Sequence, residues 1–237
     1  MKTMLKVPVY LTLVIGLPTA ANTGQPASQQ ANAAPPATAY VSLTAAKSVG
    51  AIALPQNRSL KFVDAYIHDN DEDLALVKQH SKRSFTIIDS VLVHYGLPTD
   101  LKYLAVIESN LKTSAVSRVG ARGAWQLMAG TARDLGLKVN GRYDERTNLY
   151  KSTRAAALYL RDLHSQFKDW LLVLAAYNAG PLPVIRAIHR SGSHNFWALE
   201  RYLPKESRAH VKHFIATAIY FQHYEEINAA SQALAAL

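Results

Sequence analysis

From about Asn57 to Ile227 the apolar positions recur at spacings of three and four. That is the period of helices burying one face, and the alternation of a half-buried strand is nearly absent. FVDAYI (Phe62–Ile67) reads as a short amphipathic piece. Asp71, Glu72 and Asp73 then read as a helix N-terminus, where negative charge is favourable. Phe85, Ile88, Leu92 and Tyr95 repeat at helical spacing, and Gly96 with Pro98 closes that helix. Thr99 and Asp100 are placed to cap the next one, DLKYLAVIESNL. Further helices are expected at Thr131–Gly136, Ser152–Phe167, Trp170–Gly180, Pro183–Gly192, Phe196–Leu203 and Lys205–Ile227. The final NAASQALAAL either extends the last helix or frays. The pattern predicts a mainly α globule with little or no β structure.

The N-terminal part reads differently. Lys2 and Lys6 precede an apolar run from Val7 to Leu17, and Thr19-Ala20-Ala21 supplies small residues for cleavage. A core of about eleven residues fits a signal peptide better than a bilayer span, and Pro8 argues against an uncleaved anchor. Export is the expectation. Ala, Pro, Thr, Ser and Gln dominate the following stretch, a composition too poor in large apolar groups to offset ordering. The chain therefore divides into a signal peptide (1–21), a disordered tether (22–56), a helical extension (57–83), a main helical domain (84–227) and a tail (228–237).

Composition narrows the function classes. A hydrophobic fraction of 49% supports a core, while only 18% of residues are charged, with a net charge of +9. The basic residues are scattered, as at Lys78, Arg118, Arg154 and Lys205, with no arginine-rich arm. That fits either general attraction to a polyanion or a solvated surface with no partner, and argues against a nucleic-acid partner. The absence of cysteine excludes disulfides, cysteine-bound zinc and a lipidated N-terminal cysteine. His210 and His213 are three apart on a predicted helix, but the nine histidines form no metal-spaced cluster with carboxylates, so no metal is expected.

Glu108 raises the chemical question. It shares a helix face with Leu101, Leu104 and Leu111, and a carboxylate there is costly unless something pairs with it or uses it. Desolvation would raise its pKa, suiting it to donate a proton to a leaving glycosidic oxygen. The plainer alternative is a partner: a buried arginine or helix N-terminal amides. Gly120 and Gly123 then make a turn ahead of Trp125-Gln126-Leu127-Met128, where an amide and an aromatic would suit a sugar. In isolation, Trp125 and Met128 read as core. Tyr177-Asn178 ends a buried helix before Gly180-Pro181. The pair either aims a phenol and an amide into a cleft or is a C-terminal cap with a satisfied core tyrosine. Asp134, Asp144 and Glu145 read as helix or loop charges, so no second catalytic acid stands out.

ESNL at Glu108, GARGAWQLM at Gly120–Met128, DERTNLYKSTRAAALYL at Asp144–Leu160, LAAYNAGP at Leu174–Pro181 and LPKESRAHV at Leu203–Val211 occur in order. Together they resemble the SLT-domain lytic transglycosylases, grouped as glycoside hydrolase family 23, and within these the membrane-bound D type. The resemblance covers roughly Phe85 to Tyr224. It implies a lysozyme-like helical fold, no metal or cofactor, and peptidoglycan glycan strands as the partner of a periplasmic or envelope monomer, near the membrane through its N-terminus. Glu108 matches the family's single acid/base, which would leave 1,6-anhydro muramyl ends. Ser109, Gln126, Tyr177 and Asn178 match substrate-side positions, and Met128 and His210 are expected to bind substrate beside them. The rivals are a muramidase of the same fold that hydrolyses the same bond, and a non-catalytic wall-binding scaffold. Three positions depart from the family pattern: Leu182 after Pro181, Ala129 after Met128, and His210 where many relatives carry tyrosine.

Overall fold

The computed structural model describes residues 61–235, so the signal segment and tether expected over 1–56 lie outside the described residues. These residues form helices α1 (Lys61–His80), α2 (Lys82–His94), α3 (Lys102–Ser109), α4 (Ala129–Asp134), α5 (Leu149–Phe167), α6 (Trp170–Ala179), α7 (Pro181–Ser191), α8 (Phe196–Leu199) and α9 (Lys205–Ala235). Short 3₁₀ turns at Thr99–Leu101, Glu145–Thr147 and Glu200–Tyr202 link them. Among the described residues β pairing is confined to isolated bridges, two of them in the stretch before α4 (Val116 with Arg122, Arg122 with Leu127). None of the described helices is long and apolar enough to cross a membrane.

Helix α6 is the axis of the fold. Every residue from Leu171 to Asn178 is buried, as expected of a helix that is apolar all round. Asp169 starts it by accepting a hydrogen bond from the Leu172 amide at 3.0 Å. Helices α5, α7 and α9 pack around it, and α9 also packs against α1 and α3. Phe85 of α2, Tyr103 of α3 and Phe221 of α9 lock three elements together, with Tyr103 and Phe221 stacked at 5.3 Å.

Two expected boundaries differ. The acidic run Asp71–Asp73 lies inside α1, and FVDAYI is the same helix's first part. Buried Val63, Leu74 and Val77 make one continuous stripe against α9, and no breaker interrupts it before Ser81. Thr99 and Asp100 do not cap α3. They form a 3₁₀ lead-in, and the Asp100 carboxylate accepts from Gln222 of α9 at 3.3 Å. At the other end, α9 runs on to Ala235, so the tail extends the last helix as far as the described residues go.

Candidate active site

Glu108 sits in the last turn of α3, which ends abruptly. Asn110 and Leu111 both take left-handed backbone angles (φ 53 and 61), and their amides return to Val106 and Ala105 carbonyls. The turn buries the glutamate to 4% exposure. Its partner is neither arginine nor helix amides: His210 Nε2, on α9, lies 2.9 Å from Glu108 Oε1. His210 is itself 3% exposed. The surround is therefore not wholly apolar; an imidazole reaches across the helix interface to one carboxyl oxygen. The other oxygen, Oε2, makes no hydrogen bond to a described residue.

Burial shifts the acidity of two neighbouring groups. Burial pushes the Tyr177 phenol well above its ordinary range, and the Glu108 charge adds to this; the hydroxyl stays protonated and donates to the Trp125 carbonyl at 2.7 Å. His213, one turn beyond His210, is brought down to about 4 by burial and secondarily by the His210 charge. Its ring stacks on Tyr66 of α1 at 4.6 Å. Among the described residues no three ligand-type side chains converge as a metal site.

The stretch after α3 is irregular, and side chains satisfy its carbonyls. Ser109 Oγ donates to the Ala124 carbonyl at 2.9 Å. Gln126, at φ 47, donates through Nε2 to Gly123 O at 2.9 Å. The largest clamp is Arg146, which the sequence reading did not single out. Its Nη1 donates to Gly120 O at 2.8 Å and Leu127 O at 2.9 Å. Its Nε and Nη2 grip Asp144 at 2.9 and 2.7 Å. These bonds hold the Asp144 carboxyl below its ordinary range. Asp144, expected to be a loop charge, thus anchors the fork that holds the loop. Its spacing two residues before Arg146, inside the DERT run, was the available signal. Gly123 fits the same clamp, because a Cβ there would lie 1.9 Å from Arg146 O at a φ of +82.

The remaining positions divide. The Trp125 ring is 0% exposed and its Nε1 donates to Thr153 Oγ1 at 2.9 Å; it is core and cannot stack a sugar. Met128 is half-buried and precedes α4 in extended conformation. Asn178 is 3% exposed, yet neither Oδ1 nor Nδ2 bonds to a described residue, an uncommon state for a buried amide. Leu182 is exposed in the first turn of α7. The structure joins Glu108 directly to His210, while Ser109, Gln126 and Tyr177 build the wall behind it through Ala124, Gly123 and Trp125.

Residues 92–200 match the family model of the transglycosylase SLT domain. Over 126 residues the chain is 38% identical to membrane-bound lytic murein transglycosylase D of Escherichia coli K12, covering 51% of this chain and 27% of that protein. It therefore spans about a quarter of that curated relative. Two solved structures are similar. One is the inactive glutamate-to-glutamine mutant of lytic transglycosylase Slt from Pseudomonas aeruginosa (26% identity, TM-score 0.51, 61% of this chain and 24% of that one). The other is the 70 kDa soluble lytic transglycosylase SLT70 of Escherichia coli (20% identity, TM-score 0.54, 72% of this chain and 31% of that one), a likeness of fold alone. The helices share the lysozyme-like fold of the solved lytic transglycosylases. Over these residues the chain is similar to the SLT lytic transglycosylases.

Proposed function

We propose that this domain is a peptidoglycan lytic transglycosylase with Glu108 as its single acid/base. The observation that carries the reading is a carboxyl buried at the end of α3, with one oxygen held by His210 and the other unengaged among the described residues, inside a stretch that matches the SLT family. That an Slt mutant changed from glutamate to glutamine is inactive supports a glutamate in this role.

The step balances without water. Glu108 gives its proton to the oxygen linking N-acetylmuramic acid to N-acetylglucosamine, and the bond from that oxygen to C1 breaks. The muramic acid's own 6-hydroxyl oxygen bonds to C1, and its proton returns to Glu108, leaving a 1,6-anhydro end. One carboxyl serves both halves, so the second carboxylate that a hydrolase of this type uses is not required. Gln126 Oε1 and the Asn178 amide, neither bonded to a described residue, are the polar groups left to meet acetamido and hydroxyl groups. Ser109 and Tyr177 act from behind by fixing the loop, and Met128 borders it. The membrane-bound relative and the basic balance favour an envelope location and an anionic wall polymer, with the domain acting as a monomer.

Purified sacculi test this. Wild type clears turbidity and Glu108→Gln loses about a thousandfold in rate, with anhydro-muramyl ends in the wild-type digest by mass spectrometry. Reducing, hydrated ends as the main product would make the enzyme a muramidase. Equal clearing by both proteins would move catalysis elsewhere, and clearing by neither would leave a binding protein.

A further inference from the structure

We propose that the solvent face of α7 binds the stem-peptide carboxylates of a glycan strand beside the site, with Arg186 and Arg190 as the contact residues; this rests on the domain being a peptidoglycan transglycosylase. Between Asp169 and Glu200 the chain has no acidic residue, and its basic residues there are Arg186, His189, Arg190 and His194. Helix α7 starts at Pro181, three residues after the buried Asn178. Its inner face carries Val184 and Ala187, both fully buried. Leu182, Arg186 and Arg190 recur every four residues on the opposite side, and all three are exposed, as is His189.

Charge sets this face apart. Among the described residues neither arginine forms an ion pair or a side-chain hydrogen bond. Helices α6 and α8, which pack against α7, carry no charged side chain. The 3₁₀ turn Glu200–Tyr202 packs there too. Its Glu200 is engaged by Lys212 of α9 at 3.1 Å, and its exposed Arg201 bonds to the Tyr202 hydroxyl at 2.7 Å. Like charges four positions apart on a helix repel and cost it stability. The helix C-terminus compensates the cation at Arg190, but Arg186 lies a turn further in. An anion lying along α7 would relieve the repulsion, and no described side chain does so.

The spacing selects the anion. Arg186 and Arg190 are about 6 Å apart along the helix axis, and a guanidinium takes a carboxylate through two parallel hydrogen bonds. A stem peptide hangs from muramic acid through a lactyl ether and carries more than one carboxylate, so it offers acids in a short row beside the sugar. Leu182 stands at the end of the row nearest Asn178 and supplies an apolar contact for the lactyl link. The sugars themselves are uncharged and would gain nothing from the two arginines. On this assignment α7 reads whether the muramic acid is peptide-bearing, while Glu108 acts on the glycan bond.

The test measures binding of soluble glycan strands by calorimetry, in Glu108→Gln protein so that the strands stay whole. Three proteins are compared in that background: the parent, Arg186→Gln with Arg190→Gln, and Arg83→Gln with Arg161→Gln, which removes the same charge from α2 and α5. On strands bearing stem peptides the α7 pair should bind about tenfold more weakly than the parent, and the control pair within about twofold of it. On strands whose peptides an amidase has removed, leaving one lactyl carboxylate per muramic acid, the α7 pair and the parent should coincide. With Glu108 restored, the α7 pair should raise KM on sacculi about tenfold and keep kcat within about twofold. Equal weakening by both pairs would reduce the effect to net charge and overturn the proposal. So would an equal loss on strands with and without peptides, or a loss confined to phosphatidylglycerol vesicles, which would place this face on a membrane. The underlying reading fails separately, through cutting of the strands by Glu108→Gln protein, and the KM comparison then still reads α7.

Discussion

The helical seat of Glu108 and the loop that backs it solve the same problem in opposite ways. In α3, α6 and α9 the backbone satisfies itself, so polar side chains on those helices can be spent elsewhere: Glu108 and His210 on each other, and Asn178 on no described residue. The loop from Asn110 to Met128 has only isolated bridges. Its buried carbonyls cannot stay unpaired, and four side chains bring donors to them: Ser109, Gln126, Arg146 and Tyr177. Two kinds of polar residue therefore stand within one site. One kind is available for chemistry, and the other is consumed in holding the shape.

If that division is right, damage to the two regions should read out differently. The largest effect belongs to the clamp. Arg146→Met leaves the Asp144 carboxylate only Arg122, at 3.4 Å, and removes the donor from two carbonyls, and should cost about 3–5 kcal/mol of stability. Chemical denaturation measures this, and a variant as stable as wild type would mean the loop does not depend on the fork. Glu108→Gln should by contrast leave stability nearly unchanged while abolishing turnover. Gly123→Ala comes next. The left-handed backbone and the collision with Arg146 O together should cost about 2–4 kcal/mol, whereas alanine at Gly120, whose Cβ would meet nothing within 4 Å, should cost only the backbone strain. Equal melting temperatures for the two variants would show that the close approach to Arg146 is immaterial.

This division also explains what could be read in advance. The helices were legible because burial of α6 is written in an unbroken apolar run, and burial of one face of α2 in apolar period. Glu108 was legible as an anomaly on such a face. Its partner was not, because His210 reaches it from α9, 102 positions along the chain. The loop's logic was hidden more deeply. Ser109, Gln126 and Tyr177 look the same in sequence whether their donors face a sugar or a carbonyl, and only the fold shows that these donors point inward. Arg146 and Asp144 resembled ordinary loop charges for the same reason. Likewise Asp71–Asp73 carried a start signal that the buried stripe of Val63, Leu74 and Val77 overrode.

Tyr177 links the regions from the helical side. Tyr177→Phe keeps the ring but leaves the Trp125 carbonyl without its donor, at a cost of about 1–3 kcal/mol. Acid probes the clamp without mutation. Asp144 is held below its ordinary value, so its contribution is fully present above the ordinary carboxylate range and is lost as pH falls through the depressed folded value. Wild type should therefore lose more stability than Asp144→Asn on acidification below about pH 4. Parallel stability curves would show that the fork draws nothing from the charge.

The smallest effect bears most directly on the comparison, because Ser109 belongs to both regions. It is the last residue of α3, adjacent to the acid, and its hydroxyl is tied to Ala124 in the loop. As a tie, it contributes one buried hydrogen bond. Ser109→Ala should then cost about 1 kcal/mol, lower kcat only a few fold, and leave the pH profile in place. A second mutation in the loop, Gln126→Ala, should couple to it, since both donors hold the same turn and neighbours in one network are not additive. If instead Ser109→Ala keeps full stability while kcat falls a hundredfold, the hydroxyl works on the substrate. The loop and the acid would then share their chemistry, and the separation between the residues that hold the site and those that act in it would fail at the point where the two regions join.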